Sequence, residues 1–275
     1  MRQVGVLFNP FSERSQRLSG ELARWLRERD YRVWHGTSED GREHPEVFQV
    51  MNLLIALGGD GTALRAARLA IPYNIPILMV GVGRLNFMAE LTEETMLTGM
   101  ATLLAGRGWY EQRTLIRTTL MRNGQTMYTA VGLNELVLSR GDVNRVLTLD
   151  VHIDGIPLTT YRSDGVLVAT ATGSTAYALS AGGPIIDPRS KSLVLVPIAA
   201  HLTAVPSLVL HEDTVVTLTK RSHYEAALSV DGGTSVPIQQ HDVVQVRRSR
   251  QVCTLARVQP PEELYASFVR RLRRE

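Results

Sequence analysis

Apolar and polar residues follow two rhythms along this chain, and the change falls near residue 110. Before it, short apolar runs alternate with segments of helical spacing. Residues 3–8 form an apolar run that reads as a buried strand. Ser12 stands as a cap before a polar stretch whose Leu18, Leu22, Trp25 and Leu26 share one helical stripe. Residues 31–35 and 52–57 read as strands, 63–70 as a helix of strong helix formers, and 75–80 as a further strand. Residues 92–104 read as a helix capped by Thr92, with Glu93 and Glu94 in the first turn, where carboxylates suit the dipole. Strand and helix in alternation predict a parallel sheet covered by helices.

Beyond residue 110 the texture is β-rich. Short runs at 114–121, 126–138, 146–153, 166–170, 193–198, 214–219, 226–230 and 243–247 are separated by turn signals at Asn123-Gly124, Asp154-Gly155 and Asp231-Gly232. That spacing predicts an all-β sandwich, interrupted by one helix starting near Ser174. After Pro260-Pro261, the spacing of Leu264, Phe268 and Leu272 predicts a terminal helix with a stripe to bury. The expected organisation is an α/β domain with a Rossmann-like parallel sheet over 1–109, a β-sandwich over 110–258, and a C-terminal helix over 259–275 that packs back on the first domain.

Composition narrows the class. The 275 residues, 44% of them hydrophobic, suffice for a packed core, and the single Cys253 permits neither an internal disulfide nor a cysteine-rich zinc site. A reducing compartment follows. The apolar run at the N-terminus is too short for a signal peptide, and no stretch reaches the roughly 18–20 apolar residues of a membrane span. A cytoplasmic protein without a membrane partner is expected. The net charge of +3 resides in residues 270–275, so the body is neutral and nucleic acid is not an expected partner. Among the 30 basic residues only Lys191 and Lys220 are lysines, so phosphate must be held by arginine, backbone amides or metal.

Three polar blocks carry candidate chemistry. Gly58-Gly59-Asp60-Gly61-Thr62 lies where an apolar strand hands over to a helix. Consecutive glycines let phosphate approach backbone N–H groups, and the helix start adds partial positive charge. Asp60 inside such a cradle repels phosphate and makes sense as a base for a hydroxyl or as a metal ligand; the plainer reading is a tight turn with an Asp cap. No Gly-x-x-x-x-Gly-Lys-[Ser/Thr] occurs, which excludes a P-loop. Gly81-Val82-Gly83-Arg84-Leu85-Asn86 begins like a dinucleotide fingerprint but ends in Asn, against a Rossmann dehydrogenase. Asn134 and Glu135 interrupt an apolar β-run, either at an edge or bulge or as a site for a polyhydroxyl ligand. Finally, Arg162-Ser163-Asp164-Gly165 precedes a strand and then Ala171 to Pro184, a stretch crowded with glycine and hydroxyls. The seven histidines are scattered, and Ser180 lacks the Gly-x-Ser-x-Gly frame of a hydrolase.

In this order and spacing the blocks resemble an NAD kinase, with the match running on through Val196-Pro197-Ile198 and Ser229-Val230-Asp231-Gly232. Lipid kinases and phosphofructokinases share Gly-Gly-Asp-Gly, but the lipid kinases lack the long block from Ser163 to Ile185. The resemblance implies ATP-dependent phosphorylation of the adenosine ribose 2′-hydroxyl of NAD, with Asp60 as catalytic base and a divalent metal, Mg2+, beside ATP. It implies substrate contacts from Asp60, Gly61, Arg65, Asn134, Glu135, Arg145, Arg162, Asp164 and the run Thr175, Ala176, Tyr177, Ala178, Leu179 and Ser180. Gly58, Gly59, Gly61 and Thr62 are implied for the phosphate donor, and a homodimer or homotetramer for the assembly, with the ligand site close to a subunit boundary. The chain departs from the family pattern at Gly81 and Asn86, where relatives carry Asn and Gly, and at Ala171, Ala200, Val205 and Gly233. These departures leave a non-catalytic NAD(P)-binding sensor of the same fold as the alternative, with a lipid or sugar kinase sharing only the glycine-rich turn behind it.

Overall fold

The structure, a computed structural model, describes residues 3–83, 86–142, 144–201, 205–263, 266 and 269. The chain forms two compact units, one from residues up to Gln112 together with those from Cys253 onward, the other from Arg113–Val252.

The first unit is α/β. Its elements are β1 (Gln3–Phe8), α1 (Glu13–Arg27), β2 (Arg32–Gly36), α2 (Ser38–Glu43), β3 (Leu53–Gly58), α3 (Asp60–Ala70), β4 (Ile77–Gly81) and α4 (Met96–Leu104). The strands pair in parallel in the order β2-β1-β3-β4, and Leu255 adds a further parallel pairing to Ile77. Ser12 caps α1 by accepting from the Ser15 N–H, and Leu18, Leu22 and Leu26 bury against Val4, Val6, Ile55, Leu57 and Val80. All six residues of β3 are buried, as a central strand covered on both faces requires. The crossovers from β1 to β2 and from β3 to β4 run in opposite directions. Right-handed connections therefore put α1 and α3 on opposite faces of the sheet. The C-terminal ends of β1 and β3 flank the point where strand order reverses, the place where open α/β sheets bind ligands.

The second unit holds β5 (Trp109–Arg122), β6 (Gln125–Gly132), β7 (Glu135–Arg140), β8 (Leu147–Ile153), β9 (Ile156–Ser163), β10 (Gly165–Thr170), α5 (Tyr177–Ser180), β11 (Leu193–Ile198), β12 (Leu208–Leu210), β13 (Val216–Lys220), β14 (Ala226–Val230), β15 (Val236–Ile238) and β16 (Val243–Arg257), counting β5 and β16 for their residues within Arg113–Val252. One sheet runs β6-β5-β16-β13-β8-β9, the other β12-β11-β10-β7-β14-β15. Alternate residues of both fill one core, among them Leu149, Val151, Leu218 and Val244 from the first sheet and Leu136, Leu138, Val166, Val168 and Leu195 from the second. The opposite face of the second sheet is also covered, by Ala171, Ala178 and Ile186 packed on Leu167, Ala169, Val194 and Val196. This explains why 166–170 reads as an unbroken apolar run. Asn123-Gly124 and Asp154-Gly155 have positive φ at both residues, the geometry of tight hairpin turns.

The fold class is the one the pattern predicts, and several details differ. The fourth helix starts at Met96 with Thr95 as its cap, not at Thr92. Thr92 and Thr95 are tied in a turn, and Glu93 is drawn away to Arg14 and Arg17 of α1. The run 126–138 is two strands, broken at Leu133-Asn134. The last strand continues to Arg257, and β9, β12, β15 and the short α2 were not legible as elements. Residues 253–258 cluster with the first unit, where Leu255 pairs with Ile77. The predicted helix carrying Leu264, Phe268 and Leu272 falls largely outside the described residues. No helix among the described residues is long and apolar enough to cross a membrane.

A buried ionic cluster secures the chain's return to the first unit. Arg257, 3% exposed, donates from Nε to Glu111 Oε2 at 2.8 Å and from Nη1 to Glu90 Oε2 at 3.0 Å. The other Glu90 oxygen accepts the N–H groups of Val258 (2.7 Å) and Gln259 (2.6 Å). Removing Arg257 leaves two carboxylates without their common cation. Arg257→Ala is expected to cost about 3–5 kcal/mol in denaturant unfolding, well beyond the loss from a surface arginine such as Arg29→Ala.

Candidate functional site

The glycine-rich turn closes β3 at the reversal of strand order. A Cβ on Gly58 would lie 2.3 Å from Thr62 Oγ1, so only glycine lets the strand turn this sharply into α3. Gly59 is the N-cap of α3, and its carbonyl accepts from Thr62 and Ala63 N–H. Asp60 is the first helical residue. Its Oδ2 accepts the Phe87 N–H at 3.0 Å and its Oδ1 the Met88 N–H at 3.1 Å. The carboxylate is thus held by the segment following β4, which folds back so that Gly81 N–H donates to Leu91 O and Val82 N–H to Gly58 O. Thr62 is buried and accepts from Arg65 Nη2 at 3.1 Å. Burial, then the charges of Arg68 and Arg42, hold the Arg65 pKa below its ordinary value. The departures at Gly81 and Asn86 are neighbours in space. A Cβ at 81 would lie 3.0 Å from Asn86 Nδ2, so a side chain at 81 and Asn86 compete for one place.

In the second unit Asn134 and Glu135 stand where β6 gives way to β7, 6% and 7% exposed. Asn134 Oδ1 and Glu135 Oε2 are buried with no hydrogen-bond partner among the described residues. Burying such atoms unpaired costs on the order of several kcal/mol, and a polar ligand would supply the missing partners. Burial, then the Asp231 carboxylate, pushes the Glu135 pKa up to about 7. The surrounding backbone is closely fitted. Thr170 donates from its hydroxyl to Leu133 O (2.6 Å) and from its N–H to Asn134 O (2.8 Å), and a Cβ on Gly173 would lie 2.3 Å from Asn134 O. The long small-residue block therefore brings its first turn against Asn134.

The rest of that block divides. Thr175 donates to Thr172 O, Ala178 is fully buried in the core, and Tyr177, Leu179 and Ser180 are exposed on the four-residue α5, with Ala176 preceding it. Arg145, Arg162 and Asp164 lie elsewhere. Gly165 pairs with Ser139 while Ala169 pairs with Glu135, so Asp164, one residue beyond Gly165, is at the far end of the β7–β10 ladder, about 17 Å from Glu135 at ~3.4 Å per residue, and Arg162 lies beyond it on β9. There Asp164 pairs with Arg140 (2.9 Å), while Arg145 is exposed with its guanidinium 5.1 Å from the Tyr224 ring centre.

Sequence reasoning left three features unassigned: the Phe87 and Met88 N–H groups on Asp60, the close approach of Gly173, and Asp231 itself. Asp231-Gly232 is legible as a turn and as part of the family match, with no role for its carboxylate. Among the described residues no three His, Cys, Asp or Glu side chains gather to hold a metal ion.

A glycine-rich cradle at a strand-order reversal, with a carboxylate fixed inside it, joined in one chain to a sandwich with an unsatisfied amide and carboxyl, defines a two-unit nucleotide-handling phosphotransferase. The N-terminal domain model of ATP-NAD kinases matches residues 4–108 and the C-terminal domain model residues 133–258. The chain belongs to the NAD kinase family and is an NAD+ kinase. It is 53% identical to the NAD kinase of Chloroflexus aggregans over 274 residues, covering 100% of this chain and 99% of that one. To the NAD kinase of Dehalococcoides mccartyi it is 34% identical over 274 residues, covering 99% and 96%. Its fold is similar to yeast NADH kinase complexed with NADH, with a TM-score of 0.86, 23% identity and coverage of 99% and 86%. It is also similar to the Archaeoglobus fulgidus NAD kinase in complex with ATP, with a TM-score of 0.77, 21% identity and full coverage of both chains.

The raised proton affinity of Glu135 has a consequence for stability. A carboxyl with pKa about 7 when folded and 4.5 as its ordinary value binds its proton more tightly in the native state. Its stabilising contribution is complete below pH 4.5 and lost as pH rises through 7. Glu135→Gln, which cannot ionise, is expected to be more stable than the parent protein at pH 8, by up to about 3 kcal/mol, and near parity at pH 4.5. Denaturant unfolding at the two pH values measures the difference.

Proposed function

We propose that this kinase transfers the γ-phosphoryl group of ATP to the 2′-hydroxyl of the adenosine ribose of NAD, giving NADP and ADP, with Asp60 as the general base. The observation that carries this reading is the fixed Asp60 carboxylate at the start of α3, beside glycines that open the backbone to phosphate. The bond from the 2′-oxygen to the γ-phosphorus forms as the β–γ bridging bond breaks, and the hydroxyl proton passes to Asp60. Because the transition state is loose, positioning and charge neutralisation carry most of the catalysis. A carboxylate is a weak base, which suits a proton transfer that comes late.

Gly58, Gly59, Gly61 and Thr62 serve the phosphate donor, with Arg65 beside them bearing on the substrate. A divalent cation, Mg2+ in this reading, would come bound to ATP and would supply neutralisation of phosphate charge. A cation carried by nucleotide phosphates needs only one or two protein ligands. Asn134 and Glu135 meet the dinucleotide with their unpaired oxygens, together with the run from Thr175 to Ser180. The ATP of the archaeal structure and the NADH of the yeast structure are ligands of those proteins and agree with both substrate types.

Asp164 stands at the far end of the β7–β10 ladder from Glu135, and a homodimer or homotetramer in which Arg145, Arg162 and Asp164 reach the dinucleotide of a neighbouring protomer fits that placement. Cytoplasmic residence completes the reading, with neither nucleic acid nor membrane as partner. Purified protein with NAD, ATP and Mg2+ should form NADP, and Asp60→Asn should lower kcat by at least about 10²-fold while remaining folded. Tight NADP binding without any turnover by the parent protein would replace this reading with a sensor. Light scattering should give a dimer or tetramer, and Arg162→Ala should raise KM for NAD; a monomer with unchanged KM would remove the assembly from the scheme.

A further inference from the structure

We infer that Asp231 is a positioning residue for dinucleotide recognition, gathering the backbone that carries Asn134 and Glu135 so that both side chains meet one ligand. The inference rests on the reading of Asn134 and Glu135 as dinucleotide contacts. Asp231 is 6% exposed, and its carboxylate accepts three consecutive N–H groups: Leu133 to Oδ2 at 2.7 Å, Asn134 to Oδ1 at 2.8 Å and Glu135 to Oδ1 at 3.1 Å. Its own N–H returns to Glu135 O at 2.9 Å. It holds φ of +50°, which aims the side chain back across the strand end. Gly132 completes the fit, since a Cβ there would lie 2.5 Å from Val230 Cγ1 and 3.1 Å from Asp231 Oδ1.

The clamp answers a geometric problem. Adjacent residues on a regular strand point to opposite faces, so an uninterrupted strand through 133–135 would separate the Asn134 and Glu135 side chains. Breaking the strand frees three buried N–H groups, and each must find an acceptor. Asp231 supplies all three, and the break then persists with the oxygens of both side chains left for a ligand. The same carboxylate has an electrostatic effect. Glu135 lies across from Ala169 of β10, which does not titrate, and next to Asp231 at the end of β14. Behind burial, Asp231 is the charge that favours the protonated form of Glu135. Asp231 thereby sets where Glu135 stands and adds to the burial that favours its protonated form.

The test compares Asp231→Asn, Asp231→Ala, Asn134→Ala and Glu135→Ala by calorimetric NAD affinity, by KM for NAD and for ATP, and by the pH profile of NAD affinity. Asp231→Asn is expected to weaken NAD binding at least 10-fold with KM for ATP within 2-fold of the parent. Combined with Asn134→Ala it should add little to the single change, because both act on one contact. The parent profile should bend near pH 7, and the bend should move to lower pH in Asp231→Asn while its denaturant unfolding keeps the parental slope, since rehydration of Glu135 in a loosened fold would lower the bend as well. If Asp231→Ala fails to fold, Asp231→Asn, which is neutral and keeps one acceptor oxygen, decides the matter. Parental NAD affinity and an unmoved bend in Asp231→Asn, alongside weakened binding in Asn134→Ala, would overturn the inference; so would equal loss for NAD and ATP. Parental affinity in both Asn134→Ala and Glu135→Ala would instead remove the dinucleotide reading beneath it.

Discussion

A backbone that leaves its helix or strand ladder must find new acceptors for its buried N–H groups, and here carboxylates meet that demand at three decisive places. Asp60 takes the N–H groups of Phe87 and Met88, Asp231 those of Leu133, Asn134 and Glu135, and Glu90 those of Val258 and Gln259. Each ties a segment to a residue distant in sequence. Hydrogen bonds to an ionised acceptor are stronger than neutral ones, so each clamp is stiff. The first fixes the proposed base, the second presents the proposed dinucleotide contacts, and the third returns the chain to the sheet of its first unit.

Glycine does the complementary work. Where a carboxylate draws segments together, the space has no room for a side chain. Gly58 is pressed against Thr62, Gly132 against Val230, and Gly173 against the backbone of Asn134. These three glycines belong to different sequence blocks and perform one task. The glycine content of the small-residue block is thus explained in part by close packing within the protein.

Much of the fold was legible because it depends on neighbours in sequence. The stripe Leu18, Leu22, Leu26 and the cap at Ser12 specify α1 without reference to anything distant. The apolar run at 166–170 specified a buried strand as well, although the layer of Ala171, Ala178 and Ile186 that buries its second face could not be read from it. The helix start at Met96 was misplaced because Glu93, read as a dipole partner, is claimed by Arg14 and Arg17 of another helix. Short strands such as β12 and β15 carry too few residues for a period to show. Of the candidate site, Asp60, Asn134 and Glu135 stood out as polar residues in settings that do not favour them. Asp231 did not, since an Asp before a Gly is an ordinary turn.

What the amino-acid order determined alone is therefore the alternation of elements, the two-part organisation, the family and the chemical character of the candidate residues. All of these follow from residue type and local spacing. The tertiary structure decided which groups those residues serve. Asp231 and Asn134 are 97 residues apart, and no local rule says that one will hold the other's N–H. Nor could spacing reveal that Asp164 lies at the opposite end of a ladder from Glu135, because register is set by the packing of two whole sheets. Hydrogen-bond partnership and register are properties of the folded chain, and on them the exposure, charge state and reach of each candidate residue depend.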